Sequence, residues 1–339
     1  MASATHLFSL GKIKPQTIRS GGSRTDVTVQ QLPILNGLSL SYLVLEQKGV
    51  REPHWHPNAN ELSYCVEGSA LMTIFTPGAG HDTFTITAGE IVFVPMGALH
   101  HIVNTGEKPF KLLICFDSET PEDLDLSAGI SVMPDHILAA TFSVNESLFS
   151  KLPKEPKSVF ITTLEEPEKP PIPFITNRFK MALDAENPQI QTKGGWVKMS
   201  NQFLLPTLQG ISIYGVSLNK LGAREPHWHP NAAELNYLIE GTARITLLSP
   251  GGSADTFDMV AGDMSYMPKG YLHHIENTGE DPAKFAIFFN HIAPSDIGLS
   301  GCLGAYPNDV LAALFKVPAA YFDSLPKYQQ DLFVISGGG

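Results

Sequence analysis

The twelve residues Arg51-Glu52-Pro53-His54-Trp55-His56-Pro57-Asn58-Ala59-Asn60-Glu61-Leu62 recur at 224–235 with one change, Asn60 to Ala233. His54 and His227, Gly68 and Gly241, Pro95 and Pro268, His100 and His273, Asn104 and Asn277, and Pro153 and Pro326 are each 173 positions apart. A constant offset over about a hundred residues predicts a duplicated domain, because a short motif recurring by chance keeps no register with its surroundings. A chain of 339 residues is long for one core, and two halves of ordinary domain size follow, 1–170 and 171–339. The boundary is placed near 170 because Glu165-Glu166-Pro167-Glu168-Lys169-Pro170-Pro171-Ile172-Pro173 is charged and proline-dense. Such a stretch cannot hold a helix and should run extended.

Within each copy the strand pattern dominates. Leu71-Met72-Thr73-Ile74-Phe75, Thr83-Phe84-Thr85-Ile86-Thr87 and Ile91-Val92-Phe93-Val94 are short, rich in β-branched and aromatic residues, and separated by turns such as Pro77-Gly78 and Ala88-Gly89. Regular short strands of this kind predict an all-β antiparallel sandwich or barrel. Helical pattern appears late in each copy, at Pro134 to Ala140 and Pro307 to Ala313, where proline suits a first helical position.

Composition narrows the function. Apolar residues make up 43% and charged residues 17%, a globular balance. The net charge of −11 with scattered Lys and Arg argues against nucleic acid as a partner. No apolar run approaches the roughly 20 residues of a membrane span, nor does Met1 to Ser20 carry a signal-peptide core. A cytoplasmic protein with no membrane partner is expected. The three cysteines do not suggest a disulfide framework. Cys65 and Cys115 correspond to Leu238 and Phe288 in the other copy and should pack as small hydrophobes.

The chemistry rests on the histidines. In a strand, residues i and i+2 share a face, so His54 and His56 aim together, as do His227 and His229. Glu61 and Glu234 follow five residues later, enough for a turn to return the carboxylate beside the pair. His100 and His273 offer a third imidazole from another strand. Three imidazoles and a carboxylate suit a first-row divalent ion and leave positions open on a six-coordinate metal. Strand alternation turns the adjacent His101 and His274 away, into packing or supporting roles.

The pattern His-x-His-x(4)-Glu-x(6)-Gly, then Pro-x-Gly-x-x-His-x-x-x-Asn, resembles that of the cupin superfamily. It reads His54, His56, Glu61, Gly68, Pro95, Gly97, His100, Asn104 and then His227, His229, Glu234, Gly241, Pro268, Gly270, His273, Asn277. The resemblance implies a duplicated jelly-roll barrel with short flanking helices that mediate homo-oligomer contacts. Within the two-cupin proteins, the Arg-Glu-x-His-Trp-His opening and the Leu-Pro-Lys tail resemble the oxalate decarboxylases. That implies Mn(II), two per chain, with iron as the alternative, dioxygen as a co-catalyst, and oxalate as the small carboxylate substrate, cleaved to formate and carbon dioxide.

The same resemblance implies that Arg51, and Arg224 in the second copy, bind a substrate carboxylate, and that a glutamate on a lid supplies the proton of formate. Here the lid reads Asp117-Ser118-Glu119-Thr120-Pro121-Glu122-Asp123-Leu124-Asp125, a departure from the family's Ser-Glu-Asn-Ser. Glu119 and Glu122 are the two candidates. The 173 offset maps them to Ile292 and Ser295, so the second lid has no glutamate, although His291 stands close by. A proton donor must be ionisable and within reach, so decarboxylation is expected in the first copy. Oxalate oxidase or a dioxygenase acting on another small carboxylate or enol is the alternative chemistry. A non-catalytic metal-binding or storage protein is the alternative class.

Overall fold

The computed structural model describes residues 5–78, 80–166 and 177–337. The expected boundary near 170 falls outside them. The chain forms two compact units. The first comprises Lys14–Thr28 and Ser39–Ala182, and the second comprises the described residues of Met1–Ile13, Val29–Leu38 and Leu183–Gly339. The division is therefore not a single cut in the sequence, because two early segments pack with the later copy. Leu7–Phe8 pairs with Met264–Met267, and the Gly11 N–H donates to the Gly262 carbonyl at 2.9 Å. The offset of 173 measures likeness between copies and says nothing about which sheet a short segment joins.

Each unit is a pair of antiparallel sheets. In the first unit one sheet runs in the order Leu124–Asp125, Gly49–Trp55, His100–Asn104, Ser69–Thr76, Gly80–Thr87, with Ile161–Thr163 also paired to Gly49–Trp55. The facing sheet runs Lys180–Met181, Ile91–Val94, Glu61–Glu67, Phe110–Phe116, Ser39–Leu45, Gly22–Val27, Thr17–Arg19. Leu43, Met72, Ile74, Phe84, Val92, Phe110 and Phe116 fill the space between them, as expected for alternating strands with one face inward. The second unit repeats this plan around Val216, Ile245, Met259, Phe285 and Phe289. The predicted strands lie within these elements, and the all-β duplicated barrel is the fold observed. Cys65 and Cys115 are fully buried, and burial pushes the Cys65 thiol up to about 12. All three cysteines are free thiols.

A bulge decides what faces the barrel interior. Arg51 and His54 are three residues apart, so strict alternation would send them to opposite faces. His54 pairs with His100 but Arg51 pairs with Ile102, leaving an extra residue on the Gly49–Trp55 strand. The second unit has the same shift between Arg224 and His227. Pro53 and Pro226, which lack an N–H to give to a ladder, sit where the pairing is interrupted. The parity change lets arginine and histidine line one cavity.

Two motif positions outside the ligand set shape the barrel. Gly68 adopts φ +89 with its missing Cβ 2.9 Å from the Pro109 carbonyl oxygen, so a side chain there meets both strain and backbone. The buried Asn104 amide donates to the carbonyls of Leu45, Glu46 and Lys108 and accepts from the Gly106 N–H at 2.8 Å. It organises the turn that follows the His100 strand.

The late helices are Asp135–Phe142 and Asn308–Phe315. Pro134 and Pro307 occupy the capping position just before them rather than the first turn. Two further helices, Leu126–Val132 and Leu299–Ala305, precede them. Neither makes a side-chain cap hydrogen bond, although Asp125 stands at the N-cap of the first; Gly298 stands at that of the second. No described helix is long and apolar enough to cross a membrane.

Candidate metal centres and their surroundings

His54, His56, Glu61 and His100 are all buried, and each offers a ligand atom within 4.8 Å of the others. His227, His229, Glu234 and His273 do the same. In the first unit Glu61 Oε2 lies 3.1 Å from His56 Nε2 and 3.3 Å from His100 Nε2. In the second, Glu234 Oε2 lies 2.8 Å from His229 Nε2 and 3.4 Å from His273 Nε2.

The outer nitrogens show that these clusters fit a metal. His54 Nδ1 is 2.7 Å from the Glu52 carbonyl, His56 Nδ1 3.0 Å from that of Glu122, and His100 Nδ1 2.9 Å from that of Ala98. His227, His229 and His273 repeat this with Glu225, Ser295 and Tyr271. A main-chain carbonyl accepts only from N–H, so each neutral ring carries its proton on Nδ1 and presents a bare Nε2 inward. Burial and the nearby Arg51 hold the His54 imidazole well below its usual value, which keeps it neutral. Burial also pushes the His56 imidazole down, but hydrogen bonds to Asp123 and Glu61 carry it up to about 9. Without metal, a proton sits where His56 and Glu61 would share an ion, and metal uptake must expel it.

Arg51 is 2% exposed. Its Nη1 donates to Asp125 Oδ1 at 2.5 Å and to the Phe160 carbonyl at 3.2 Å, and its guanidinium lies 3.9 Å from the centroid of the Phe160 ring. Arg224 is held alike, 3.5 Å from the Phe333 ring and 2.5 Å from Asp296 Oδ1. Phe160 and Phe333 have φ of 67 and 64, a conformation that bulky residues rarely adopt. The acids of the repeated motif hold them there. Glu52 Oε1 accepts from the Phe160 N–H, and Glu225 Oε1 accepts from that of Phe333. The second oxygen of each accepts from the backbone N–H of Ser127 or Ser300, in the first turn of the uncapped helix.

The lids are in register. Glu122 N–H donates to Asn58 Oδ1 at 2.9 Å, and Ser295 N–H donates to Asn231 Oδ1 at 2.8 Å. Of the two predicted lid glutamates, Glu122 is exposed and Glu119 half-buried, and between them and the barrel Asp123 places its Oδ1 3.0 Å from His56 Nδ1. Asp123 Oδ2 also accepts from Arg24 Nη1 at 2.9 Å. Burial pushes the Asp123 carboxyl up, and Arg24 and His56 hold it below the usual carboxylate range. His291 lies 2.8 Å from the carbonyl of Ala293 in its own loop, and it is not one of the clustered ligands. His101 and His274 likewise stand outside both clusters.

Sequence reasoning missed Arg24, Asp123, Asp125, Glu52 and Phe160 as parts of the site. For three of them the signal was present, because Asp123 and Asp296, Glu52 and Glu225, and Phe160 and Phe333 all keep the offset of 173. The enclosed space lined by Arg24, Arg51, His54, His56, Glu61 and Phe116 measures about 10 Å³, room for about one water molecule.

The cupin family profile matches residues 8–148 and 181–320. Oxalate decarboxylase OxdC of Bacillus subtilis (strain 168) is 29% identical over 317 residues, covering 91% of this chain and 82% of its own length. A probable oxalate decarboxylase of Arthroderma benhamiae is 29% identical over 331 residues, covering 95% and 81%. The solved structure of oxalate decarboxylase from Bacillus subtilis at pH 4.6 matches with a TM-score of 0.88 at 26% identity, over 99% of this chain and 88% of that one. Another structure of the Bacillus enzyme, described for its Mn(II) centres, also matches with a TM-score of 0.88. The two matches take in most of each barrel, and the chain belongs to the cupin family, whose domain it contains twice.

Proposed function

We propose that this chain is a manganese-dependent oxalate decarboxylase, converting oxalate and a proton into formate and carbon dioxide, with the chemistry in the first unit. The observation that carries the reading is a buried arginine, Arg51, lining the same small cavity as His54, His56 and Glu61, in a chain homologous to oxalate decarboxylases over 91% of its length. A storage or purely metal-holding protein has no need of a buried guanidinium beside complete ligand sets.

The divalent ion, together with dioxygen, supplies the redox capacity that weakens the carbon–carbon bond of oxalate. His54, His56, Glu61 and His100 would hold that ion in the first unit, and His227, His229, Glu234 and His273 would hold a second. Arg51 orients a substrate carboxylate through its planar fork, with Phe160 beneath it and Asp125 fixing its position. The apolar wall of Ile102, Ile114 and Phe116 keeps bulk water from the reacting carbons. Glu119 and Glu122, on the loop that covers the site, are the candidate proton donors, and a change in loop position must bring one of them to the reacting carbon. The second unit lacks a lid glutamate and would serve structure, electron transfer or a different reaction. Exposed apolar residues on the late helices, Ile137 and Phe142 in one and Val310 and Leu314 in the other, support the expected homo-oligomer.

The test is the product formed from oxalate under air with manganese supplied. Formate and carbon dioxide in equal amounts support the proposal, whereas hydrogen peroxide in place of formate makes the chain an oxidase. Formate release absent in Glu119→Gln and retained in Glu122→Gln would assign the donor to Glu119. Full activity in both variants would remove both glutamates from that role.

A further inference from the structure

Arg24 lies on the Gly22–Val27 strand and is 5% exposed. Its Nε donates to Asp26 Oδ1 at 2.6 Å and its Nη1 to Asp123 Oδ2 at 2.9 Å. The guanidinium is 5.8 Å from the centroid of the Phe116 ring and 5.4 Å from that of Phe160, and the residue lines the same small cavity as Arg51, His54, His56 and Glu61. Asp123 therefore has one oxygen on Arg24, while the other lies 3.6 Å from Arg51 Nη2 and 3.0 Å from His56 Nδ1. Arg51 Nη2 and Nε are buried and find no hydrogen-bond partner among the described residues, so Asp123 leaves part of that guanidinium unsatisfied.

The second unit lacks this arrangement. At the offset of 173, Val197 stands for Arg24, Met199 for Asp26 and Tyr214 for Ser41. The strand pairings agree, with Arg24 opposite Leu43 and Val197 opposite Val216. Among the described residues, Asp296, the counterpart of Asp123, has Arg224 as its one arginine partner.

Two guanidinium groups converging on one carboxylate beside a metal-ligand cluster make a site for an anion, and the chain fills it with its own acid. We propose that Arg24 and Arg51 form a clamp for one carboxylate of a small dicarboxylate substrate, and that Asp123 is a resident stand-in which the substrate displaces as the loop 118–124 opens. The inference rests on the small-carboxylate reading above and adds to it a binding residue that only the first unit has. Displacement is required by volume, since the cavity of about 10 Å³ holds no more than about one water molecule. It is balanced in charge, because the entering carboxylate replaces the departing one on the same two arginines. A substrate with a second carboxylate can reach the ligand cluster and the clamp at once.

The test is binding rather than turnover. Oxalate, and formate as a one-carboxylate probe, are titrated calorimetrically without oxygen into the manganese-loaded full chain. Removing the stand-in with Asp123→Asn should tighten oxalate binding about tenfold at one site per chain, and Arg24→Leu should weaken it by about tenfold. In the double variant the gain from Asp123→Asn should shrink, because the clamp has lost one arm. Asp123→Asn alters a loop residue and keeps the question open to test if Arg24→Leu fails to fold. Unchanged or weaker oxalate binding in Asp123→Asn overturns the proposal, as does Arg24→Leu binding within about twofold of the parent chain. Formate production is not part of this readout. A chain that made peroxide would still test the clamp, and one that made formate with unaltered binding in the variants would lose the clamp alone.

Discussion

Around the first ligand cluster the barrel wall is ionic, with Arg24 held by Asp26 and Asp123, and Ser41 donating to Asp26 at 2.5 Å. Around the second, the same positions are Val197, Met199 and Tyr214, and the Tyr214 ring packs 4.7 Å from that of Phe289. The ligands themselves are matched, down to the carbonyl accepting from each Nδ1. Metal binding fixes side chains within a few ångströms and tolerates little change. The wall one layer out answers to whatever the site must admit. Two copies of one fold can therefore hold the same ion and present different surfaces to a substrate.

The lids differ in the same direction. Asn60 donates from its N–H and its amide to the two oxygens of Asp117, each at 2.7 Å, and accepts from the Met96 N–H at 2.9 Å. Ala233 retains only the backbone contact, to Asn290 Oδ1 at 2.7 Å. The single substitution in the repeated segment thus lies against Asp117, where the loop that carries Asp123 begins.

The largest contrast should come from the ligands. Glu61→Ala and Glu234→Ala should each lower manganese from about two ions per chain to about one, read by metal analysis after dialysis. Loss of both ions in either variant would mean that the sites are not independent. Next come the arginines. Arg51→Ala should reduce kcat/KM for oxalate on the order of 100-fold, the value of a charge-assisted contact of about 2–3 kcal/mol, while Arg224→Ala should stay within about threefold. Equal losses would erase the distinction between the units.

A smaller effect follows from pH. His56 is held up at about 9 in the metal-free chain and must lose that proton to bind the ion. Manganese affinity at the first site should therefore rise by about tenfold per pH unit up to about 9 and level off above it. Asp123→Asn should flatten that rise, because Asp123 lies 3.0 Å from His56 Nδ1, whereas Asp296 lies 3.8 Å from His229 Nδ1. The smallest effect is expected from Asn60→Ala. Losing the amide contacts to Asp117 and Met96 should cost about 1–2 kcal/mol of loop anchoring, seen as faster hydrogen exchange at 117–125 with the barrel strands unchanged.

Much of this was legible in the sequence, for definite physical reasons. The eight ligands could be read because metal coordination demands particular residue types at particular spacings, and the duplication supplied a second copy to check them. The barrel strands could be read from their period of two. Arg24 could not, because it occurs in one copy and meets Asp123 across 99 positions of sequence. Asp125 ends the acidic lid stretch with nothing in the sequence to mark it out, yet it is 9% exposed and bound to Arg51. Asp125 stands at the N-cap of the Leu126–Val132 helix but is committed to Arg51 and makes no cap bond, so Glu52 serves the start of that helix from another strand. The membership of Val29–Leu38 in the second unit depends on packing that no local pattern encodes.

The central claim is that the two units hold the same metal while oxalate is cleaved in the first. Formate release from oxalate by Glu61→Ala and Glu234→Ala, each loaded with manganese and compared with the parent chain, tests it most directly. The account predicts that Glu61→Ala releases no formate above background and that Glu234→Ala retains activity within about tenfold of the parent. Formate release that survives in Glu61→Ala and disappears in Glu234→Ala would contradict it.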